Sequence, residues 1–117
     1  MTLIEELQEL GVNAEEGLDR VMGDTDLYEM MLGMFVDSVR DNPVSVEEYD
    51  SGDTAELIKK VHMLKGVTGN LALTPLFNRY TEILGQLRAG QMKEAKAGYE
   101  ALRPIQNTVL DCIQRNA

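Results

Sequence analysis

The chain of 117 residues has the length and composition of one folded domain. Its residues are 44% hydrophobic and 26% charged, and a chain of this length can bury a single core. The 20 acidic residues exceed the 11 basic ones, which gives a formal net charge of −9. Such a surface repels phosphate backbones and anionic lipids, so we expect neither nucleic acid nor a membrane as the partner.

The single cysteine, the single histidine and the hydropathy of the chain exclude further classes of function. No apolar run reaches the roughly 18–20 residues of a membrane span, and the acidic start at Glu5 and Glu6 does not resemble a secretory signal. Cys112 is the only cysteine, which excludes an internal disulfide, and we expect a cytoplasmic location. His62 is the only histidine, so a structural zinc site is excluded and any imidazole chemistry belongs to His62.

The first third of the chain predicts two short helices and one long one. Thr2 and Glu5 have the spacing of a capping box ahead of a helix that Gly11 ends. A short second helix is expected between Asn13 and Gly23. A longer segment follows, with apolar residues at helical spacing: Leu27, Met30, Met31, Met34, Phe35 and Val39. We interpret its methionines as adaptable core residues.

The rest of the chain also predicts helices. Pro43 should kink or end the long segment, and residues 50–54 read as a turn that ends in a helix cap. A helix with the apolar seam Leu57, Val61, Leu64, Thr68 and Leu71 follows. Thr74 should cap the next helix, and Pro104 should kink the last one. The prediction is one all-α domain over residues 1–117, an antiparallel four-helix bundle with a short N-terminal lead-in helix.

His62 lies on the side of its predicted helix that faces away from the seam. At 100° per residue, it is about 140° from the centre of that seam and should point to solvent. Its neighbours on this face are Ile58, Lys65, Gly66 and Gly69. A glycine inside a helix costs about 0.8–1 kcal/mol relative to alanine, so folding alone does not explain two of them beside the histidine. We expect both to let another molecule approach the helix closely.

The residues on this face are suited to nucleophilic chemistry. A solvated imidazole is largely unprotonated at neutral pH and carries a nucleophilic lone pair, and Lys65 can offer a positive charge to a phosphoryl oxygen. The sequence contains no P-loop and no recognisable acidic magnesium site, so a partner would have to supply the rest. Ile58 and Leu73 either flank His62 as exposed docking residues or pack against a neighbouring helix.

The segment from His62 to Ala72, His-Met-Leu-Lys-Gly-Val-Thr-Gly-Asn-Leu-Ala, resembles the signature of histidine-containing phosphotransfer (HPt) domains. That signature is a His-x-Leu-Lys-Gly core followed by small residues. The stretch from Leu18 to Phe35 and the turn Leu87–Gly90 are also similar to the family. Three sites depart from its common pattern: Val61 stands for alanine, Ala72 for glycine, and Ile83-Leu84 for a Leu-Glu pair.

The resemblance implies a carrier of phosphoryl groups rather than an enzyme. His62 would accept a phosphoryl group, usually on Nε2, from an aspartyl phosphate of a receiver domain and pass it to another receiver. Lys65 would steady the phosphate, while Gly66 and Gly69 would give the receiver room. The partners would be response-regulator receiver domains or a hybrid sensor kinase. The chain itself would need no cofactor, because Mg²⁺ would belong to the receiver, and we expect a monomer.

Two other functions remain open at this level. The chain could be a helical interaction module that binds a protein around His62 without phosphotransfer. A helix-bundle enzyme or metal carrier is the other alternative, and it has little support because one histidine and no Glu-x-x-His pair leave few metal ligands.

Overall fold

The computed structural model of the protein describes residues 1–52 and 54–116. Within these residues the regular structure is entirely helical, with no strand, which confirms the predicted all-α class. The described helices are α1 Leu3–Glu9, α2 Ala14–Asp19, α3 Thr25–Asp41, a 3-10 helix Val46–Asp50, α4 Ala55–Asn70, α5 Thr74–Arg88 and α6 Met92–Arg115. None of the helices in the described ranges is long and apolar enough to cross a membrane.

Side-chain caps start the first three helices. The Thr2 hydroxyl accepts from the Glu5 amide and the Glu5 carboxylate accepts from the Thr2 amide, so the predicted capping box is confirmed. The side chains of Asn13 and Asp24 cap α2 and α3 by accepting from the amides of Glu16 and Leu27. The cap predicted at Thr74 is wrong, because the N-cap residue of α5 is Leu73 and Thr74 is already helical.

The buried face of α3 differs from the predicted one. Met30 and Met34 are each 58% exposed, so the prediction that they fill the core is wrong. The fully buried residues are instead Tyr28, Leu32 and Phe35. These three residues define the buried face of α3, and Met31, on the same side, packs partly against the core.

Pro43 and Pro104, which were predicted to kink or end helices, have different positions relative to those helices. Pro43 lies two residues beyond the end of α3, so it follows the end of that helix rather than kinking it. Pro104 lies inside α6, which continues on both sides of it.

Between α3 and α4, Tyr49 of the 3-10 helix stacks on Tyr99 with ring centroids 5.4 Å apart. Thr54 is the N-cap of α4, and Asp53 of the predicted turn lies outside the described residues.

The four long helices share one core. α5 packs against both α4 and α6, and α3 contacts these same two helices. Leu32, Leu64, Leu84 and Leu102, one from each long helix, are at most 2% exposed. α1 lies on α6, and α2 lies on α3. Burial of these apolar side chains is the main force that fixes α4 in place.

Candidate functional site

The two faces of α4 differ in burial as the seam predicts. Leu57, Val61, Leu64 and Thr68 are buried between the neighbouring helices. His62 is exposed to solvent, and no hydrogen bond or ion pair joins its imidazole to any residue that the structure describes. The ring is therefore not used in folding contacts and is accessible from outside.

Lys65 differs from the other two lysines of α4 in having no carboxylate partner within the described part of the chain. Lys60 Nζ lies 2.8 Å from a Glu48 carboxylate oxygen, and Lys59 Nζ lies 3.5 Å from one of Glu56. Lys65 is half-buried and stands one turn after His62. Its ammonium group can therefore meet an incoming anion without breaking an ion pair.

The charge of α4 is opposite to that of the whole chain. The helix holds three lysines and one glutamate, whereas the chain has a net charge of −9. An acidic partner would be repelled by the first half of the chain, which holds most of the acidic residues, but attracted by the helix that carries His62. Local attraction of this kind orients an encounter more than it strengthens it.

Gly66 and Gly69 have different surroundings. A Cβ placed on Gly66 would meet nothing within 4 Å, so the surface beside His62 is open there. A Cβ on Gly69 would lie 2.9 Å from two ring carbons of Phe77. The missing side chain at Gly69 thus makes room for Phe77 of α5, whereas the one at Gly66 leaves space that none of the described residues fills.

The two apolar residues considered for docking are both involved in packing. Leu73 is completely buried between α4 and α5, so it cannot flank His62 as an exposed residue. Ile58 is half-buried and packs against the hydrophobic core. Of the two arrangements expected for this pair, Leu73 adopts the packed one, and Ile58 is packed in part while the rest of its side chain remains accessible.

A groove of about 490 Å³ begins at Gly66, one turn from His62. The last turns of α4 form its floor. Arg20 and Glu16 form one wall, from α2 and its C-terminus, and Phe77 and Asn78 form the other, from α5. The groove therefore continues the surface of His62 toward the C-terminal end of α4.

The C-terminal end of α4 receives three hydrogen bonds from the first 28 residues. The Asn13 amide donates to the Ala72 carbonyl at 3.1 Å, and the Tyr28 hydroxyl donates to that of Leu71 at 2.8 Å. The Arg20 guanidinium donates to the Gly69 carbonyl and also pairs with Glu16. Carbonyls at a helix end have no partner within the helix, so these donors complete it. We call this set of contacts the N-terminal clamp.

Arg20 and Tyr28 were not among the site residues predicted from the sequence, although one signal for their position was present. Gly17 is buried in α2, and a Cβ there would lie 2.6 Å from the ring of Tyr28. A glycine inside a short helix can mark such a close approach. Burial raises the pKa of Tyr28 to about 12, so its hydroxyl remains a proton donor at all physiological pH values.

Other reactive groups are poorly placed for chemistry. Among the described residues no three His, Cys, Asp or Glu side chains come together to hold a metal ion. Burial, with the nearby Glu6 carboxylate, raises the pKa of the Cys112 thiol to about 11, so the thiol stays protonated. His62 and its surroundings are therefore the best candidate site.

Comparison of the chain with protein-family models, curated proteins and solved structures finds no match.

Proposed function

We propose that this protein is a phosphoryl carrier of the HPt type, with His62 as the phosphoacceptor. The observation that carries the proposal is the arrangement on the outer face of α4. His62 is exposed and has no partner among the described residues, Lys65 beside it lacks a carboxylate partner there, and Gly66 leaves its surface open. An accessible nucleophile, a free cation and room for a partner are what phosphoryl transfer between proteins requires.

The fold supports this function as well. We propose that α3, α4, α5 and α6 form the antiparallel four-helix bundle of HPt domains, with α1 and α2 as the lead-in. In support, each of these four helices packs against two of the others around a shared core. A rigid bundle holds the His62 face of α4 in place while the partner approaches.

The proposed reaction is an exchange between His62 and a receiver aspartate. An imidazole nitrogen, Nε2 in this proposal, attacks the phosphorus of the aspartyl phosphate, and the P–O bond to the aspartate breaks. The electron pair leaves with the aspartate carboxylate, and the ring keeps the phosphoryl group. Lys65 would neutralise charge on the phosphoryl oxygens. The reverse reaction with a second receiver completes the relay.

The partner in this proposal supplies everything that α4 lacks. Receiver domains, alone or within a hybrid sensor kinase, would bring the aspartate and Mg²⁺, so this chain would be a carrier and not an enzyme by itself. We propose that it acts in the cytoplasm as a monomer. The positive charge of α4 favours the approach of an acidic partner surface at this face. The acidic helices α1–α3 would repel such a surface.

The experiment that tests the proposal is incubation with a panel of purified receiver domains phosphorylated on aspartate. We expect the intact mass to increase by one phosphoryl group and the label to be lost in acid, as a phosphohistidine would be. His62→Gln should abolish the label and leave the melting temperature within about 2 °C, because the side chain is exposed.

Two outcomes would contradict the proposal. A label that persists in His62→Gln would place the acceptor elsewhere. No label from any receiver, together with stable binding of one of them, would instead favour an interaction module without phosphotransfer. A matched pair on the same helix sharpens the result: Lys65→Gln should slow transfer, whereas Lys59→Gln, which affects an exposed ion pair, should not.

A further inference from the structure

The groove beside His62 has a second wall that does not come from the long helices. Gly66 belongs to both the His62 surface and the groove, so a protein docked on His62 would extend into it. Arg20 follows α2 directly and is held over the groove by its bond to the Gly69 carbonyl. Any partner that enters the groove must therefore contact the N-terminal part of the chain as well as α4.

Arg20 retains capacity for a further bond. A guanidinium has five N–H donors, and within the described residues Arg20 uses one for Gly69 and one for Glu16. Its side chain remains 45% exposed. The remaining N–H groups can donate to a carboxylate of a partner without loss of the contact to Gly69.

The opposite wall offers a different chemistry. Phe77 is half-buried, with one side of its ring against Gly69. Asn78 next to it is exposed and lines the groove. An apolar side chain can pack on the accessible part of the Phe77 ring while an adjacent acidic side chain reaches Arg20. Aromatic and arginine side chains together are typical anchors of protein interfaces.

We propose that this groove selects the receiver partner, and that Arg20 is a specificity-determining residue for phosphoryl exchange. The occupant is a receiver segment that presents an apolar residue beside a carboxylate, the first for Phe77 and the second for Arg20. Continuity with the His62 surface, the net positive charge of α4 and the N–H donors of Arg20 that Gly69 and Glu16 leave unused favour this occupant. The inference rests on the proposed phosphotransfer function, because the groove is assigned to the protein that exchanges the phosphoryl group.

The main test obstructs the groove without changing His62 or Arg20. Asn78→Trp places a large side chain at the groove, and Asn107→Trp places the same one on an exposed position of α6 as a matched control. Two donors are compared: a phosphorylated receiver, which must dock, and phosphoramidate, a small donor that need not. With phosphoramidate, an imidazole nitrogen attacks the phosphorus, the P–N bond breaks, and ammonia leaves with a proton from solvent.

We expect Asn78→Trp to lower kcat/KM for receiver transfer by about tenfold, mainly through KM, with labelling by phosphoramidate unchanged. Asn107→Trp should alter neither. Equal receiver transfer in the two tryptophan variants would overturn the groove assignment and leave the carrier function intact. Absence of His62 labelling by both donors in the unmodified protein would overturn the carrier function, and the groove assignment with it.

A second pair of variants tests the charge of Arg20. Arg20→Lys keeps a cation that can still donate to Gly69, whereas Arg20→Gln keeps a donor but loses the charge. If Arg20 selects an acidic partner, Arg20→Gln should raise KM for the receiver about threefold or more above that of Arg20→Lys, and added salt should reduce the difference. Identical KM values in the two variants would mean that Arg20 only holds the Gly69 carbonyl and does not select the partner.

Discussion

The surroundings of Gly66 and of Gly69 show how one stretch of helix serves two purposes. Both glycines follow His62 on the same side of α4. The space at Gly69 is filled by Phe77 of the same chain, whereas the space at Gly66 is filled by nothing within 4 Å. Beyond Gly69 the N-terminal clamp holds the end of the helix. The helix is thus fixed at its C-terminal end and open beside the histidine.

This difference separates a packing requirement from a functional one. A glycine that packing requires should resist substitution in any stability measurement. A glycine that serves a partner should tolerate substitution in the isolated protein and fail only when the partner is present. Substitutions at the two glycines and at the residues around them can test this separation.

Gly66→Leu should slow phosphoryl transfer from a receiver by about tenfold or more, because a side chain would project into the space that the partner needs. The isolated variant should be as stable as the unmodified protein or slightly more so, since leucine has the higher helix propensity. Transfer kinetics and thermal unfolding measured on the same preparation check both parts. Unchanged transfer would remove the clearance role of Gly66.

Gly66→Ala and Gly69→Ala should differ in stability by about 1–3 kcal/mol. Alanine at position 66 meets no neighbour and should stabilise the helix by up to about 1 kcal/mol. Alanine at position 69 must displace the ring of Phe77, which offsets that gain. Urea unfolding of the two variants measures the difference, and equal midpoints would contradict the distinction drawn between the glycines.

Tyr28→Phe removes only the hydroxyl that donates to the Leu71 carbonyl. Because that carbonyl is buried and would lose its donor, we expect a loss of about 1 kcal/mol in the free energy of unfolding. Hydrogen exchange should become faster for amides at the C-terminal end of α4 and stay unchanged at its N-terminal end. Faster exchange over the whole helix would mean that the clamp does not act locally.

The smallest change in stability is expected at Glu48, whose carboxylate pairs with Lys60 of α4. Burial raises the pKa of Glu48, but hydrogen bonds from Lys60 and from the Ser45 amide and hydroxyl outweigh it, so the pKa is lowered overall. A carboxyl with a lowered pKa in the folded state stabilises the protein above the ordinary glutamate pKa and loses this effect as the pH falls through the lowered value.

Glu48→Gln should therefore remove at most about 1 kcal/mol of stability near neutral pH, since both side chains are partly exposed. The loss should become progressively smaller as the pH falls through the lowered pKa of Glu48. Thermal unfolding of both proteins between about pH 3 and pH 7 checks the sign. A larger effect in acid than at neutral pH would contradict it. Phosphoryl transfer should not change, in contrast to the variant at the unpaired Lys65.

The sequence predicted the helices and the outward direction of His62 because the seam of α4 is regular. Leu57, Val61, Leu64 and Thr68 recur at steps of three and four, and each of them is buried. The register of α3 was predicted less well. Tyrosine has a polar group as well as an apolar ring, so the sequence did not reveal that Tyr28 would be buried and Met30 exposed.

The contacts of the site that could not be predicted from the sequence join residues that are far apart in the chain. A helical wheel places Gly66 and Gly69 on one face but does not contain the neighbouring helix, so it could not show Phe77 against Gly69. Arg20 is 49 residues from the carbonyl it contacts, and Tyr28 is 43 residues from its own. No local pattern joins residues at such distances. Gly17, which leaves room for the Tyr28 ring, was a local sign of the close packing at Tyr28.

The N-terminal clamp also has a consequence for dividing the chain. A fragment that began at Thr25 would retain all four long helices and the whole of the His62 face, yet it would lack Asn13 and Arg20. Two of the donors to the end of α4 would be missing, as would the groove wall that Arg20 provides. The smallest fragment that could be fused to another protein with this site complete would therefore have to start before Asn13.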